Sequence, residues 1–442
     1  MTASEAVLAR ALAEAFLAGD WTPDGLVDRG ARTLGARRRW LYPLVRDVLA
    51  VHLRPPLDRP RELADLVAVT AAFQGATRRA RRDGRVLRPV ERQIAPTRMV
   101  RRPWPVPRLD GTGDLADLLG LDGAHLAWLA DGEHRQRRTP PGALHHYRYR
   151  WQPRPHRAPR LVEAPLARLA SRQRLLLREV LDAVPVHPAV HGFVPGRGVR
   201  TATAPHAGAD VLVCLDLVHF FASVRAGRVY GMFRAAGYPE PVAYDLTGLV
   251  TAQAPVGVLA RMPPGGTPEQ RFDLRHRLGL AHLPTGAPTS PALANLVAYH
   301  LDARLDGLAR DLGGRYTRYA DDLIISGGAA LARGTDRLVR AVGRIVAEEG
   351  FALNQAKTRV RTRSQAQSVL GVVVNDRPTV PRREYDRLRA VLHDARRSGP
   401  EAADREGRPD FRAYLTGRVA WVASIDPVRG ARLRAALDEI AW

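Results

Sequence analysis

An α+β fold is what the 442-residue sequence predicts, on three observations. Apolar residues recur at helical spacing near both ends, at Val7, Leu8, Leu12, Phe16 and Leu17 and again from Pro381 to Trp442. Between the ends, VLVCLDLVHFF (211–221), the Leu323-Ile324-Ile325 run and SVLGVVVN (368–375) have the length and β-branched content of strands. Helical stretches at 283–309 and 335–350 are set among those runs.

Taken in order, residues 4–18 predict a first helix, and Thr22-Pro23-Asp24 can start a second. The pattern continues over 37–53 and 60–74, with Pro43 an interruption or a start. This helical region is either a structural extension or a protein-docking domain. Arginines crowd residues 78–102, with Trp104 behind them. Such a segment can neutralise phosphates and stack on a base, although a charge run is more often a solvated face. Residues 113–137 read as two short helices, 145–165 as a basic β-hairpin, and 166–184 as an amphipathic helix. The Gly/Pro-punctuated stretch 187–206 reads as a loop, and residues 225–252 as helical. Residues 255–280, rich in Pro, Gly and Arg, read as a loop or insertion. In 283–309 a turn leads into a long helix, with Ser290 as N-cap and Pro291 in the first turn. The closing helical pattern breaks near 398–410.

The formal charge is +23, which points to a polyanion, above all nucleic acid, as partner. A basic protein can also bind a membrane surface, but no run of 18 apolar residues is present and no amphipathic lipid-anchor segment stands out, so no membrane partner is expected. The N-terminus lacks the basic and apolar regions of a signal peptide. The single Cys214 excludes an internal disulfide and a cysteine metal cluster, and fits the reducing cytoplasm.

Two features carry chemistry. RYTRYADDLIISG predicts a strand, a tight turn bearing Asp321 and Asp322, and a second strand. Two acids at a tip can hold Mg²⁺ for phosphoryl transfer, although an isolated Asp pair is more often a solvated turn. Asp216 sits inside an apolar strand, where a carboxylate is costly unless it is ion-paired or bound to a metal. The basic residues are the other clue: of 68, all but Lys357 are arginine. Lysine can be tuned to donate a proton near neutral pH and arginine cannot; it can also meet a phosphate simply as a point charge.

In chain order stand DLVHFFASV with Asp216, LPTGAPTSPALAN, YADD, LNQAKTR with Lys357, and SVLGVVVN. This succession resembles the motifs of reverse transcriptases, and the resemblance spans roughly 113–442. HGFVPGRGV (191–199), His206, and YLTGRVAWVASIDP (414–427) make it similar to retron-type bacterial enzymes, in particular the longer, myxobacterial-like kind. The chain departs from the family's usual residues at Thr285, at Ala202-Thr203 and at Leu370.

The resemblance implies a right-hand polymerase of fingers and their junction (111–210), palm (211–375) and helical thumb (376–442); the helical extension with its basic segment (1–110) lies outside it. No RNase H, integrase or HNH-like extension is expected. Asp216, Asp321 and Asp322, with the carbonyl of Leu217, would hold two Mg²⁺ ions. Lys357 would protonate the leaving pyrophosphate. Phe221 would lie beneath the sugar and exclude a 2′-OH, although it could equally be a core ring. Gly286 would line the templating base pair. Arg157 and Arg160 would hold the triphosphate, with Arg197 and Arg200 as alternatives. Tyr319, Gly371 and His206 would touch template or primer. The implied partners are a structured non-coding RNA serving as template and primer, dNTPs, the DNA product, and an effector protein from the same locus. The implied activity is RNA-directed DNA synthesis primed from a guanosine 2′-OH to give a branched RNA–DNA, in anti-phage defence. The alternatives are another defence-associated or group II-like reverse transcriptase, and an RNA-binding scaffold with an inactive site.

Overall fold

The computed structural model describes residues 1–139, 142, 144–154 and 156–442, and it combines helices with three small sheets. The chain forms two compact units, one of residues 1–184 and 224–290, the other of 185–223 and 291–442.

The first unit opens with helices Ala3–Leu17, Pro23–Leu34, Leu41–Val51, Pro60–Val69 and Ala71–Arg82. Their apolar faces close on one core that includes Leu8, Leu12, Phe16, Leu26, Leu41, Val48, Leu63 and Phe73. Thr2 and Glu5 form a capping box at the first helix, and Thr22 caps the second ahead of Pro23. Pro43 lies in the first turn of its helix, where its missing N–H costs nothing. The last of these helices runs on to Arg82, so part of the arginine-rich segment is helical.

Strands β1 (Tyr147–Gln152) and β2 (Arg160–Pro165) pair antiparallel, Tyr147 facing Pro165, as the hairpin expected there. The stretch 255–280 corrects the expectation of a loop, since it contains the helices Val256–Ala260 and Pro268–Leu278. Thr267 and Gln270 form a capping box around Pro268, a start signal that the surrounding Pro and Gly conceal. Ser290 is also corrected: it is the first helical residue, and its hydroxyl donates to the Pro284 carbonyl at 2.8 Å.

The second unit is built around a four-stranded antiparallel sheet in the order β4-β5-β3-β6, with β3 Val211–Asp216, β4 Arg315–Tyr319, β5 Asp322–Gly327 and β6 Arg359–Thr362. β3 is central and almost wholly buried, as its continuous apolar run requires. A two-residue hairpin follows, β7 (Ser368–Val369) and β8 (Val372–Val373), whose turn residues Leu370 and Gly371 both have positive φ. The helices Arg382–Ser398, Phe411–Ile425 and Pro427–Asp438 pack their apolar faces with Leu212, Ile324, Val372 and Val374 into the core of this unit.

Candidate active site

The register of the sheet brings the acids together. β3 and β5 pair so that Asp216 lies directly opposite Asp322, which puts both side chains on one face. Tyr319 pairs with Asp322, leaving Ala320-Asp321 as a two-residue loop. Ala320 takes φ +55, a left-handed conformation that an alanine adopts at a cost of roughly 1–2 kcal/mol. The Asp321 carbonyl accepts from the Leu217 N–H at 2.9 Å, which ties the loop to the end of β3. Like charges placed opposite one another destabilise a sheet. Burial pushes the Asp322 carboxyl up to about 6, and the charges of Asp321 and Asp216 add to the rise while Lys357 opposes it.

Lys357 completes the cluster. The segment 353–357 runs past the end of β3, where Leu353 bridges Leu217 and the Asn354 N–H donates to the Asp216 carbonyl at 2.7 Å. A single 3-10 turn, Gln355–Lys357, then carries Nζ to within 2.6 Å of Asp216 Oδ2. Asn354 Nδ2 donates to the other oxygen, Oδ1, at 3.2 Å.

Among the described residues no three His, Cys, Asp or Glu side chains are gathered closely enough to hold a metal as they stand. The Asp216 carboxylate is instead turned to Lys357 and Asn354. The donor set nonetheless suits a hard divalent cation: it is all oxygen and all of one charge, and the charges of Asp321 and Asp216, which add to the effect of burial on Asp322, are a repulsion a cation would relieve.

The loop rests on a buried network that the motifs alone do not reveal. Arg318 is fully buried and forms a two-pronged pair with Asp302, Nε to Oδ1 at 2.7 Å and Nη2 to Oδ2 at 2.6 Å. Its Nη1 donates to Asn295 Oδ1 at 2.9 Å and to the Ala320 carbonyl at 3.1 Å. Tyr316 donates its hydroxyl to Asp302 at 2.8 Å. Burial is the strongest single influence and would lower the Arg318 pKa, but the charge and hydrogen bonds of Asp302, joined by Tyr316, together hold the guanidinium above its ordinary value. Asn295 also donates to the Gly192 carbonyl at 2.9 Å, and a Cβ on Gly192 would meet the Ala320 nitrogen at 2.6 Å. Only glycine lets these backbones approach so closely. Asn295 and Arg318 were legible as letters of motifs, but no spacing rule pairs Arg318 with Asp302.

The remaining expected residues are placed as follows. Phe221 and Tyr319 are half-buried, and the exposed Phe193 ring stands 6.4 Å from each of them. Phe193, in HGFVPGRG, went unassigned in the sequence; its aromatic character was the available signal. The Leu217 side chain is buried. Gly371 is exposed in its hairpin turn. In the first unit Gly286 has φ +121 beside the β2 backbone, where the Glu163 N–H donates to the Thr285 carbonyl at 2.7 Å. Arg157 and Arg160 are exposed at the loop end of the β1–β2 hairpin, Arg157 between the strands and Arg160 at the start of β2. His206 is a correction. It is fully buried, with its ring nitrogens at 2.7 Å from Ser326 Oγ and 2.8 Å from Thr317 Oγ1. That leaves it no free polar atom for template or primer, and it joins β4 to β5 instead. Burial, with His191 and Arg315 adding, drives its pKa down to about 3.

Comparison with known proteins agrees with this geometry. Residues 164–374 match the family model described as reverse transcriptase (RNA-dependent DNA polymerase). The chain is 39% identical over 366 residues to the retron Mx65 reverse transcriptase of Myxococcus xanthus, covering 82% of this chain and 77% of that one. It is 37% identical over 347 residues to the retron Mx162 reverse transcriptase of the same organism, covering 75% and 67%. It is 30% identical over 243 residues to the retron Ec86 reverse transcriptase of Escherichia coli, covering 54% and 66%. With its acids clustered at the ends of the two inner strands and likeness of this extent, the chain belongs to the retron-type reverse transcriptases and is an RNA-directed DNA polymerase.

Proposed function

We propose that this polymerase copies part of its own structured non-coding RNA into single-stranded DNA, priming from a guanosine 2′-OH to give a branched RNA–DNA. The product would serve anti-phage defence in the cytoplasm, together with an effector protein from the same locus. What carries the reading is the register that sets Asp216 opposite Asp322 with Asp321 in the adjoining loop, in a chain so similar to retron enzymes. No described helix is long and apolar enough to cross a membrane.

In this reading residues 111–210 serve as fingers, 211–375 as palm and 376–442 as thumb, with 1–110 as a helical extension. Asp216, Asp321, Asp322 and the Leu217 carbonyl hold Mg²⁺, in a two-ion arrangement. The metal, when bound, neutralises charge on the attacking and leaving oxygens. Asn354 orients the Asp216 carboxylate through its 3.2 Å hydrogen bond. Lys357 releases Asp216 and protonates the departing pyrophosphate, which no arginine could do at neutral pH. Phe221 lies under the sugar and rejects a 2′-OH. Gly286 admits the templating pair, Arg157 and Arg160 grip the dNTP triphosphate, and Tyr319 and Gly371 touch template or primer.

The test is on nucleic acid co-purified from the native locus, treated with RNase, labelled, and compared between wild type and Asp321→Ala. A discrete short DNA, lost in the variant and joined to RNA by a debranchase-sensitive link, is expected. An unbranched or heterogeneous DNA lost in the variant would replace this reading with a reverse transcriptase of another group. Tightly bound RNA without variant-sensitive DNA would replace it with a scaffold.

A further inference from the structure

The first unit contains an open cavity of about 320 Å³, formed where the helix Pro60–Val69 and the turn after Ala130 meet the helices Ala226–Ala235 and Glu240–Val250. Its wall includes Arg61, His134, Tyr230, Tyr244, Thr247 and Thr251. None of these residues belongs to the acid cluster, and the sequence motifs do not account for them.

The wall is held in place from several sides. The Tyr244 hydroxyl donates to the Gly132 carbonyl at 2.9 Å, which fixes the ring. The Arg61 guanidinium lies over that ring, 4.5 Å from its centroid. Glu240 accepts from the backbone N–H groups of Arg61 at 2.6 Å and Glu62 at 3.2 Å, which anchors the start of one helix to the start of the other. Arg61 is therefore positioned through its backbone, and among the described residues its side chain is in no ion pair. A Cβ built on Gly227, which also lines the cavity, would meet nothing within 4 Å, so the cavity is open at that side.

Size and chemistry narrow the occupant. About 320 Å³ is at the small end of ligand sites; it admits one nucleotide-sized group and excludes a duplex. Tyr230 lines the cavity, and the Tyr244 ring becomes available as Arg61, now lying over it, turns to an anion. The hydroxyls of Thr247 and Thr251 donate to the Ala243 and Thr247 carbonyls of their own helix, which leaves their oxygens to accept from the amino group of a base. A base with its phosphate presents that combination, and single-stranded RNA is held in this way when its bases are splayed out. The chain's net charge of +23 favours the same polyanion.

We infer that this cavity binds one unpaired nucleotide of the enzyme's RNA, with the base against Tyr230 and Tyr244 and the phosphate at Arg61. The inference rests on the reading of the chain as an enzyme that holds a structured RNA, and it adds to that reading a site carried entirely by the first unit. The site anchors RNA while leaving nucleotide addition to the acids of the second unit. It also gives the N-terminal helices a part in RNA recognition, through Arg61.

The experiment uses the full-length protein and a 4-thiouridine-containing single-stranded RNA of random sequence as photo-crosslinking probe, with crosslinked peptides mapped by mass spectrometry. Two variants are compared with wild type: Gly227→Trp, which fills the opening, and Arg61→Glu, which removes the cation. Extension of oligo(dT) on poly(rA) is measured in parallel. The expected result is a crosslink on the peptides carrying Tyr230 or Tyr244, reduced about tenfold in both variants, with extension within about twofold of wild type. Crosslinks confined to other surfaces, or a Tyr230/Tyr244 crosslink of unchanged yield in Gly227→Trp, would overturn the inference. The wild-type crosslink map decides the site even where a variant fails to fold. Loss of extension by the wild-type protein would count against the polymerase reading, and the map would still decide the cavity on its own.

Discussion

Two aspartates of the second unit each hold a cation at 2.6 Å, yet the two pairs are different devices. Asp302 and Arg318 are both completely buried, and the further bonds to Tyr316, Asn295 and the Ala320 carbonyl satisfy most of their hydrogen-bonding capacity. Asp216 and Lys357 stand at the end of β3, where the lysine side chain is 36% exposed and the aspartate faces another carboxylate across the sheet. The contact distance is the same, so it cannot tell scaffold from chemistry. The surroundings can. A satisfied pair in a dry interior holds one geometry, while a half-open pair beside surplus negative charge can be exchanged for another cation.

The sharpest way to break the contrast is to remove an acid from each region. Asp216→Asn should lower RNA-directed DNA synthesis by at least about 10³-fold, because the charge that neutralises the transition state depends on it. Its melting temperature should hold or rise, since a like-charge repulsion with Asp322 is relieved. Primer extension and thermal unfolding on the same preparation check both halves. A variant that melts earlier and stays active would reverse the assignment.

Arg318→Met should do the opposite. Leaving Asp302 buried without its partner costs about 3–5 kcal/mol, and the double variant Arg318→Met/Asp302→Leu should recover most of that. Urea unfolding of the two variants measures the difference. Activity should fall in both, because the Ala320 carbonyl loses its donor and the strained loop its support. A double variant as unstable as the single one would show that the neighbouring Asn295 and Tyr316 contacts, rather than charge pairing, hold the loop.

Much of the tip was legible in the sequence and little of its support was. Asp216 announced itself as a charge in an apolar strand, the adjacent acids as a turn between strands, and Lys357 as the one lysine in an arginine-rich chain. Each signal is local and chemical. Arg318 looks like any other arginine until the helix Tyr299–Asp311 brings Asp302 against β4. His206 was read as a contact residue because its letter matched a motif, whereas tertiary packing turned it inward between two hydroxyls. The helix Pro268–Leu278 was missed for a different reason: its capping signal lay in sequence but was outweighed by the Pro and Gly around it.

Lys357→Arg sharpens the comparison at the exchangeable pair. Charge is kept and the transferable proton is lost, so kcat should drop by about 10²-fold with the dNTP KM little altered. Stability should change by less than about 1 kcal/mol, as expected for a pair with one partner substantially exposed. Pre-steady-state single-nucleotide addition separates the chemical step from binding. Unchanged kcat would leave Lys357 as a point charge.

The smallest effect belongs to the scaffold side, in the pH dependence set by His206. Its folded-state pKa is depressed to about 3 by burial, against an ordinary value of 6.5. Between those values the unfolded chain binds a proton that the folded chain refuses, so stability falls as pH falls below about 6.5 and the loss levels off near 3. Above 6.5 neither state is protonated there, and the contribution is flat. The slope is at most about 1.4 kcal/mol per pH unit. His206→Asn should cost about 1–3 kcal/mol at neutral pH, because Ser326 Oγ loses its imidazole partner and Thr317, which keeps its bond to the Ala202 carbonyl, loses one of two. Wild type and variant should then converge as the buffer is acidified, since only the wild type carries the titration. Urea unfolding at pH 7, 6 and 5 reads that convergence, and a gap that does not narrow would mean that the buried imidazole accepts a proton as readily as the unfolded one.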